Sequence, residues 1–146
     1  MDGVLTEYYQ AVATYATSVG FLDSGGDWYN LTPVIELAAL AASAGSYFQN
    51  LAKRAEADAL IDLVIAKNGS YEILSTTTST SMTNQKNAWV DANLTGARAP
   101  AARNYATNFN KGPYGGANKL LIDDRLTYVN QFEAAGGKGF KSVSYT

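Results

Sequence analysis

The chain has 146 residues, a formal net charge of -2 at neutral pH, and neither cysteine nor histidine. This length fits one domain with a proper core, and the small negative charge leaves no clustered basic surface for binding a nucleic-acid duplex. Without cysteine there are no disulfides, zinc–thiolate sites or thiol catalysis. Without histidine, any acid–base chemistry must use carboxylates, tyrosine or lysine.

No apolar stretch is as long as a membrane span, and the N-terminus lacks the basic-then-apolar pattern of a secretion signal. The sequence therefore predicts a cytoplasmic location and no membrane partner. A small phosphorylated metabolite or nucleotide remains compatible with this composition, because such a ligand needs only a few local cations and a metal ion rather than a basic face.

The first half of the chain is predicted to be mainly helical. Residues 6–19 fit a helix that ends at Gly20, and a turn-rich break at 23–27 precedes an alanine-rich helix over 33–44. A further helix begins near residue 54 and ends at Asn68-Gly69. Its apolar residues recur at helical spacing, which predicts one buried face; they are Ala57, Leu60, Ile61, Val64 and Ile65.

The second half alternates strands and helices. Strands are predicted over three ranges: 71–74, 120–122 and 140–143. Helices are predicted over 84–93 and after residue 125, where Leu126, Val129 and Phe132 form one face. Residues 97–105 are ambiguous, with an edge strand interrupted by Pro100 as one interpretation. This alternation predicts a three-layer α/β fold with a mostly parallel sheet.

The apolar run 120–122 leads directly into two adjacent carboxylates, Asp123 and Asp124. Open α/β sheets bind ligands at the carboxyl ends of their strands, and carboxylates there commonly hold a hard cation. The other interpretation of this motif taken alone is a turn or a helix cap. Likewise, Lys111 and Lys119 are equally consistent with solvated surface charges, and the Ser/Thr-rich run 75–83 with a flexible polar loop.

Four segments, in order, resemble the motifs of the haloacid dehalogenase superfamily. Residues 2–5, Asp-Gly-Val-Leu, resemble the second half of its opening Asp-x-Asp-Gly motif, and the strand-like segment 71–76 ends in Ser-Thr as the second motif does. Lys111 stands where the third motif has lysine, and Asp123-Asp124 resembles the fourth. The stretch 120–140 looks most like small phosphatases related to 5′-nucleotidases and deoxyribonucleotidases, including phage-encoded ones.

The resemblance covers nearly the whole chain and implies an α/β/α Rossmann-like phosphohydrolase that uses Mg²⁺ on small, nucleotide-like phosphomonoesters. Asp2 would act as the general acid and base. The implied metal ligands are Asp2, Asp123 and Asp124, and the implied phosphate ligands are Ser75, Thr76 and Lys111. A single domain over 1–146 is implied, with a small helical cap inserted at roughly 15–52.

The opening motif lacks its first aspartate, the nucleophile of the family, which would stand one position before Met1. With no cysteine or histidine as a substitute, covalent phosphoryl transfer is not expected from the sequence as written. The first core strand is also missing, which predicts a gap of about 9–10 Å between two strands. The sheet would close up, another segment would enter, or a second subunit would donate a strand and form a homodimer.

Phe48, Gln49 and Tyr114, together with Trp28 and Tyr29, are predicted to contact a nucleobase, because aromatic faces stack on bases and amides read their edges. The alternative is that the aromatic residues serve packing alone. A second hypothesis of a different class is a non-catalytic protein of the same fold with a binding or structural role.

Overall fold

The computed structural model describes residues 1–20, 38 and 45–142. In these ranges the helices are α1 (Tyr8–Ser18), α2 (Ala57–Asn68), α3 (Thr80–Asn93) and α4 (Leu126–Ala134), and the strands are β1 (Glu72–Thr76), β2 (Ala102–Ala106), β3 (Leu120–Asp123) and β4 (Lys138–Lys141). None of the helices searched in these ranges is long and apolar enough to cross a membrane. The predicted helix at 33–44 lies outside the described residues except for residue 38, which is helical. Trp28, Tyr29 and most of the predicted cap also lie outside them.

The predicted helices at 6–19 and 54–69 are confirmed by α1 and α2, but the helix predicted at 84–93 begins earlier. Helix α3 begins at Thr80, and the side chain of Ser79 accepts a hydrogen bond from the backbone N–H of Met82 at 3.1 Å. Serine is a favoured residue at this position because it satisfies an N–H that has no partner within the helix. The interpretation of 75–83 as a polar loop is therefore wrong, since the run contains the end of β1 and the start of α3.

The strands form two parallel pairs. Strand β1 pairs with β2, from Glu72 opposite Ala102 to Thr76 opposite Ala106, and β3 pairs with β4 in the same sense. The ambiguous segment 97–105 thus contains a strand that begins after Pro100, which lacks the N–H needed for pairing. The last strand is Lys138–Lys141, two residues earlier than predicted, and residue 143 is outside the described part.

The edge of β1 that faces away from β2 has no strand partner among the described residues, and side chains bind it. Tyr71 O accepts from Ala101 N–H and Thr77 N–H donates to Ala106 O, so the odd-numbered residues face β2 and the carbonyls of Leu74 and Thr76 face the other edge. Those two carbonyls accept hydrogen bonds from lysine ammonium groups, Lys111 at 3.3 Å and Lys86 at 2.7 Å.

The described residues add no third strand between β1 and β3. Closure of the sheet is therefore wrong for the described part, where the two strand pairs stay separate, and the segments that enter beside β1 contribute lysine side chains rather than a strand. A lysine ammonium group can donate to a strand-edge carbonyl as a backbone N–H would. The buried carbonyl therefore has the hydrogen-bond donor that it needs. A strand donated by a second subunit stays a prediction.

Two apolar clusters flank the strands. The larger packs α1, α2 and α3 against β1, with Trp89 fully enclosed and its indole N–H donating to Leu51 O at 2.7 Å. The smaller consists of Leu121, Tyr128 and Phe132, between β3 and α4. Leu126, predicted on the buried face of α4, is 54% exposed because α4 begins there and turns Tyr128, Val129 and Phe132 inward.

Candidate functional site

A cavity of about 300 Å³ opens at the carboxyl ends of β1 and β3. Strand β1 delivers Ser75 and Thr76 to its wall, and β3 delivers Asp123 and the following Asp124. The wall also contains residues that lie outside the strands, among them Asp2 and Lys111. All six implied phosphate and metal ligands line this cavity: Asp2, Ser75, Thr76, Lys111, Asp123 and Asp124.

The N-terminal segment reaches this cavity by passing beside Asp124. Leu5 N–H donates to Met1 O at 2.8 Å, which closes a turn over residues 1–5. Gly3 in this turn has a φ of +68°, and a Cβ atom there would lie 2.5 Å from Asp124 Oδ2. Only glycine fits both the backbone angle and the space. The close approach brings Asp2 to the same cavity as Asp123 and Asp124, from the opposite end of the chain.

Lys111 is buried against Asp123. Its ammonium group lies 2.5 Å from Asp123 Oδ2, and both side chains are only 4% exposed. The same group lies 4.6 Å from the centre of the Tyr128 ring. The interpretation of Lys111 as a solvated surface charge is therefore wrong. The other Asp123 oxygen accepts the backbone N–H of Arg125 at 2.9 Å, so Asp123 also closes the turn before α4, in part as the turn interpretation expects.

Lys86 is a second buried lysine at the cavity, and it was not among the site residues predicted from the sequence. Its ammonium group contacts Asp2 Oδ2 at 2.5 Å, Ser75 Oγ at 2.9 Å and Thr76 O at 2.7 Å. The residue is 1% exposed and lies over the ring of Phe48. A signal was present in the spacing, because Lys86 falls three and four residues before Trp89 and Val90 and so shares their buried helix face.

Asp124 is held by Tyr9. The Tyr9 hydroxyl donates to Asp124 Oδ2 at 2.8 Å. Burial raises the pKa of the Asp124 carboxyl above its ordinary value, and the neighbouring charge of Asp123 acts in the same direction. Burial, with the Asp124 charge, likewise raises the pKa of Tyr9, so the tyrosine remains a hydrogen-bond donor.

Replacing Asp124 with Asn is expected to stabilise the protein at pH 7. The folded state binds the Asp124 proton more tightly than the unfolded chain, so the free energy of unfolding falls as pH rises from 3.8, the ordinary value, through the raised pKa. Each unit of raised pKa corresponds to about 1.4 kcal/mol, or a few degrees of melting temperature. Asparagine removes the charge and still accepts from Tyr9.

The measurement is a set of thermal melts of both proteins from about pH 3 to pH 8. The Asp124→Asn advantage should be largest at neutral pH and vanish toward the acid end. Asp91→Asn is the matched control, since Asp91 is an exposed carboxylate paired with Arg103, and its loss should bring no gain. An Asp124→Asn advantage that did not change with pH would contradict this account.

The carboxylates of the cavity fit a magnesium ion held by few protein ligands. Asp2 Oδ1 and Thr76 Oγ1 are both buried, and neither has a hydrogen-bond partner among the described residues. A buried carboxylate oxygen without a partner is costly unless a cation or donor completes it. Within residues 1–20 and 45–142 no three acidic side chains form a ready metal cage. Mg²⁺ commonly uses one or two carboxylates with waters and substrate phosphate, which matches this arrangement.

The residues predicted to contact a nucleobase are only partly at the cavity. Phe48 lines it but is 4% exposed, beneath Lys86 and stacked near Tyr8. Gln49 and Tyr114 lie outside its wall. Gln49 is exposed next to Phe48, and the Tyr114 hydroxyl donates to Tyr105 O at 3.1 Å, which gives Tyr114 a packing position.

Comparison of the chain with protein-family models, with curated proteins and with solved structures gave no match. The resemblance to haloacid dehalogenases therefore stays a prediction. What the structure defines is a mixed helix and strand protein with parallel strand pairs and a cavity of buried lysines and carboxylates.

Proposed function

We propose that the cavity binds the phosphate group of a small phosphomonoester together with Mg²⁺, in a three-layer domain of the haloacid dehalogenase kind. The observation that carries the proposal is the pairing of two buried ammonium groups with carboxylates in one cavity, Lys86 with Asp2 and Lys111 with Asp123. Buried ion pairs are weak evidence for stability. Because both pairs line one cavity, each partner lies within reach of a ligand, which supports a binding role.

Binding exchanges partners within the cavity. The phosphate oxygens accept hydrogen bonds from Lys86, Lys111 and the Ser75 hydroxyl, and the carboxylates released by the two lysines turn to the metal. Mg²⁺ with a phosphate dianion is neutral, so every buried charge keeps an opposite charge. Either ligand alone would leave half of the pairs uncompensated, which costs free energy in a buried site. The proposal therefore requires that phosphate and Mg²⁺ strengthen each other's binding.

The proposed activity is binding, without covalent turnover by the described residues. At the cavity these residues offer three carboxylates, of which Asp123 and Asp124 accept from Lys111 and Tyr9. Asp2, with one unpartnered oxygen, is suited to the metal or to proton transfer at the leaving group. Covalent phosphoryl transfer requires a nucleophilic group in addition to a general acid. None of the three carboxylates is left to serve as that nucleophile.

The test is a calorimetric titration of inorganic phosphate with and without Mg²⁺, and of Mg²⁺ with and without phosphate. We expect each ligand to raise the affinity of the other by the same factor, about 5-fold to 150-fold for typical coupling. Asp2→Asn should abolish most of this coupling, and Asp62→Asn, which removes an exposed carboxylate paired with Arg98, should leave it unchanged. Equal phosphate affinity with and without Mg²⁺ would contradict the proposal, as would turnover of a phosphomonoester that Asp2→Asn abolishes.

A further inference from the structure

Arg125 is a cation of the cavity wall that has no carboxylate partner. Lys86 and Lys111, which line the same cavity, are each paired with a carboxylate. Arg125 forms no such ion pair with any residue that the structure describes. Asp124, its neighbour in the sequence, accepts a hydrogen bond from the Tyr9 hydroxyl at 2.8 Å instead. The guanidinium charge is therefore available to an anion that enters the cavity from solvent.

Most of the hydrogen-bond donors of Arg125 are also available. A guanidinium group has five N–H donors in a planar fork. Within residues 1–20 and 45–142, the Tyr9 hydroxyl is the one side chain with which this group shares a hydrogen bond. The Arg125 side chain is exposed, so water takes the remaining donors. A carboxylate can replace that water with two parallel hydrogen bonds, which are stronger than bonds to a neutral group.

The position of Arg125 is fixed relative to the buried end of the cavity. Its backbone N–H donates at 2.9 Å to Asp123 Oδ1, and the other oxygen of that carboxylate pairs with Lys111. The ring of Tyr128 lies beneath both cations, with the Lys111 ammonium 4.6 Å and the Arg125 guanidinium carbon 6.0 Å from its centre. Lys111 is only 3% exposed, whereas Arg125 reaches solvent. The two cations can therefore contact the two ends of one small molecule.

We propose that Arg125 binds a carboxylate carried by the phosphomonoester, which makes phosphorylated carboxylic acids the ligand class of this cavity. The inference rests on the proposed function, because Lys86 and Lys111 hold the phosphate at the inner end. Mg²⁺ already balances the phosphate dianion, so the one charge of Arg125 balances one carboxylate. A second phosphate group would bring up to two negative charges to this single cation. Arginine also suits the planar carboxylate better than lysine does.

The experiment compares three ligands by calorimetric titration in the presence of Mg²⁺: inorganic phosphate, 2-phosphoglycolate and the neutral amide of 2-phosphoglycolate. The amide has nearly the shape of the acid but lacks its charge. We expect 2-phosphoglycolate to bind the unmodified protein about tenfold more tightly than the amide, the scale of a hydrogen bond to a charged group.

Arg125→Gln should abolish the preference for the acid over the amide and leave the affinity for inorganic phosphate unchanged. Arg125→Lys should keep part of the preference, because lysine retains the charge without the fork. Lys119→Gln is the matched control. Lys119 is an exposed cation outside the cavity wall, so its loss should leave the preference intact.

The outcomes separate this inference from the proposed function. If inorganic phosphate binds but the acid and the amide bind equally, only the carboxylate inference is overturned. An Arg125→Gln variant that loses as much affinity for inorganic phosphate as for 2-phosphoglycolate would also overturn it, because Arg125 would then bind the phosphate itself. If inorganic phosphate does not bind the unmodified protein, the proposed function fails and the carboxylate inference with it.

Discussion

Replacing Lys111 with Met is expected to lower the free energy of unfolding by about 3–5 kcal/mol, a large share of the stability of an ordinary domain. Methionine nearly preserves the volume of the side chain but removes its charge. Asp123 would then be a buried carboxylate whose Oδ2 has lost its partner, and the Leu74 carbonyl would lose its donor. Urea denaturation measures the loss, and the same variant should lose most of its phosphate affinity.

A double variant separates the ion pair from general damage to packing. Lys111→Met with Asp123→Asn removes both charges, and asparagine can still accept from Arg125 N–H. Because an unpaired buried charge is the costly species, the double variant should be more stable than the sum of the single losses predicts, by at least about 1 kcal/mol. Lys67→Met, at an exposed position of α2, is the control and should change little. Additive losses would contradict an energetically coupled ion pair between Lys111 and Asp123.

The elements of the second half could be predicted because local patterns determine them. The apolar run at 120–122 and the strand-like segment at 71–74 can be identified from the sequence itself, and β3 and β1 lie there. The start of α3 was missed because a single side chain, Ser79, decides it. A capping hydrogen bond contributes about 1 kcal/mol without altering the hydrophobic pattern, so periodicity does not detect it.

The acidic side chains of the cavity and Lys111 could also be predicted, whereas Lys86 was missed. Asp2, Asp123 and Asp124 follow strand-like or motif-like segments, and all three line one cavity. Lys86 looks like a solvent-facing residue in a polar helix, because lysine is almost never fully buried without a partner. Its partners become visible only when α3 packs beside the edge of β1.

The unpaired edge of β1 explains why the lysines lie so deep. Leu74 O and Thr76 O face a gap rather than a strand, and buried carbonyls need donors. Ammonium groups supply those donors, and each brings a charge that in turn needs a carboxylate. The gap between the strand pairs, the buried lysines and the acidic cavity are thus consequences of one packing arrangement, which no single segment of the sequence encodes.

Lys86→Met is expected to cost about 2–4 kcal/mol of unfolding free energy, less than Lys111→Met. The Asp2 side chain is 26% exposed, so water can partly solvate the carboxylate that loses its ammonium partner. The donor to Thr76 O and the contact with Ser75 Oγ are lost as well. Adding Asp2→Asn should restore part of the stability, and Lys67→Met again provides the exposed control. A loss no larger than that of the control would show that Lys86 is not buried at the edge of β1, and the exchange of ion pairs for phosphate and Mg²⁺ would lose its basis.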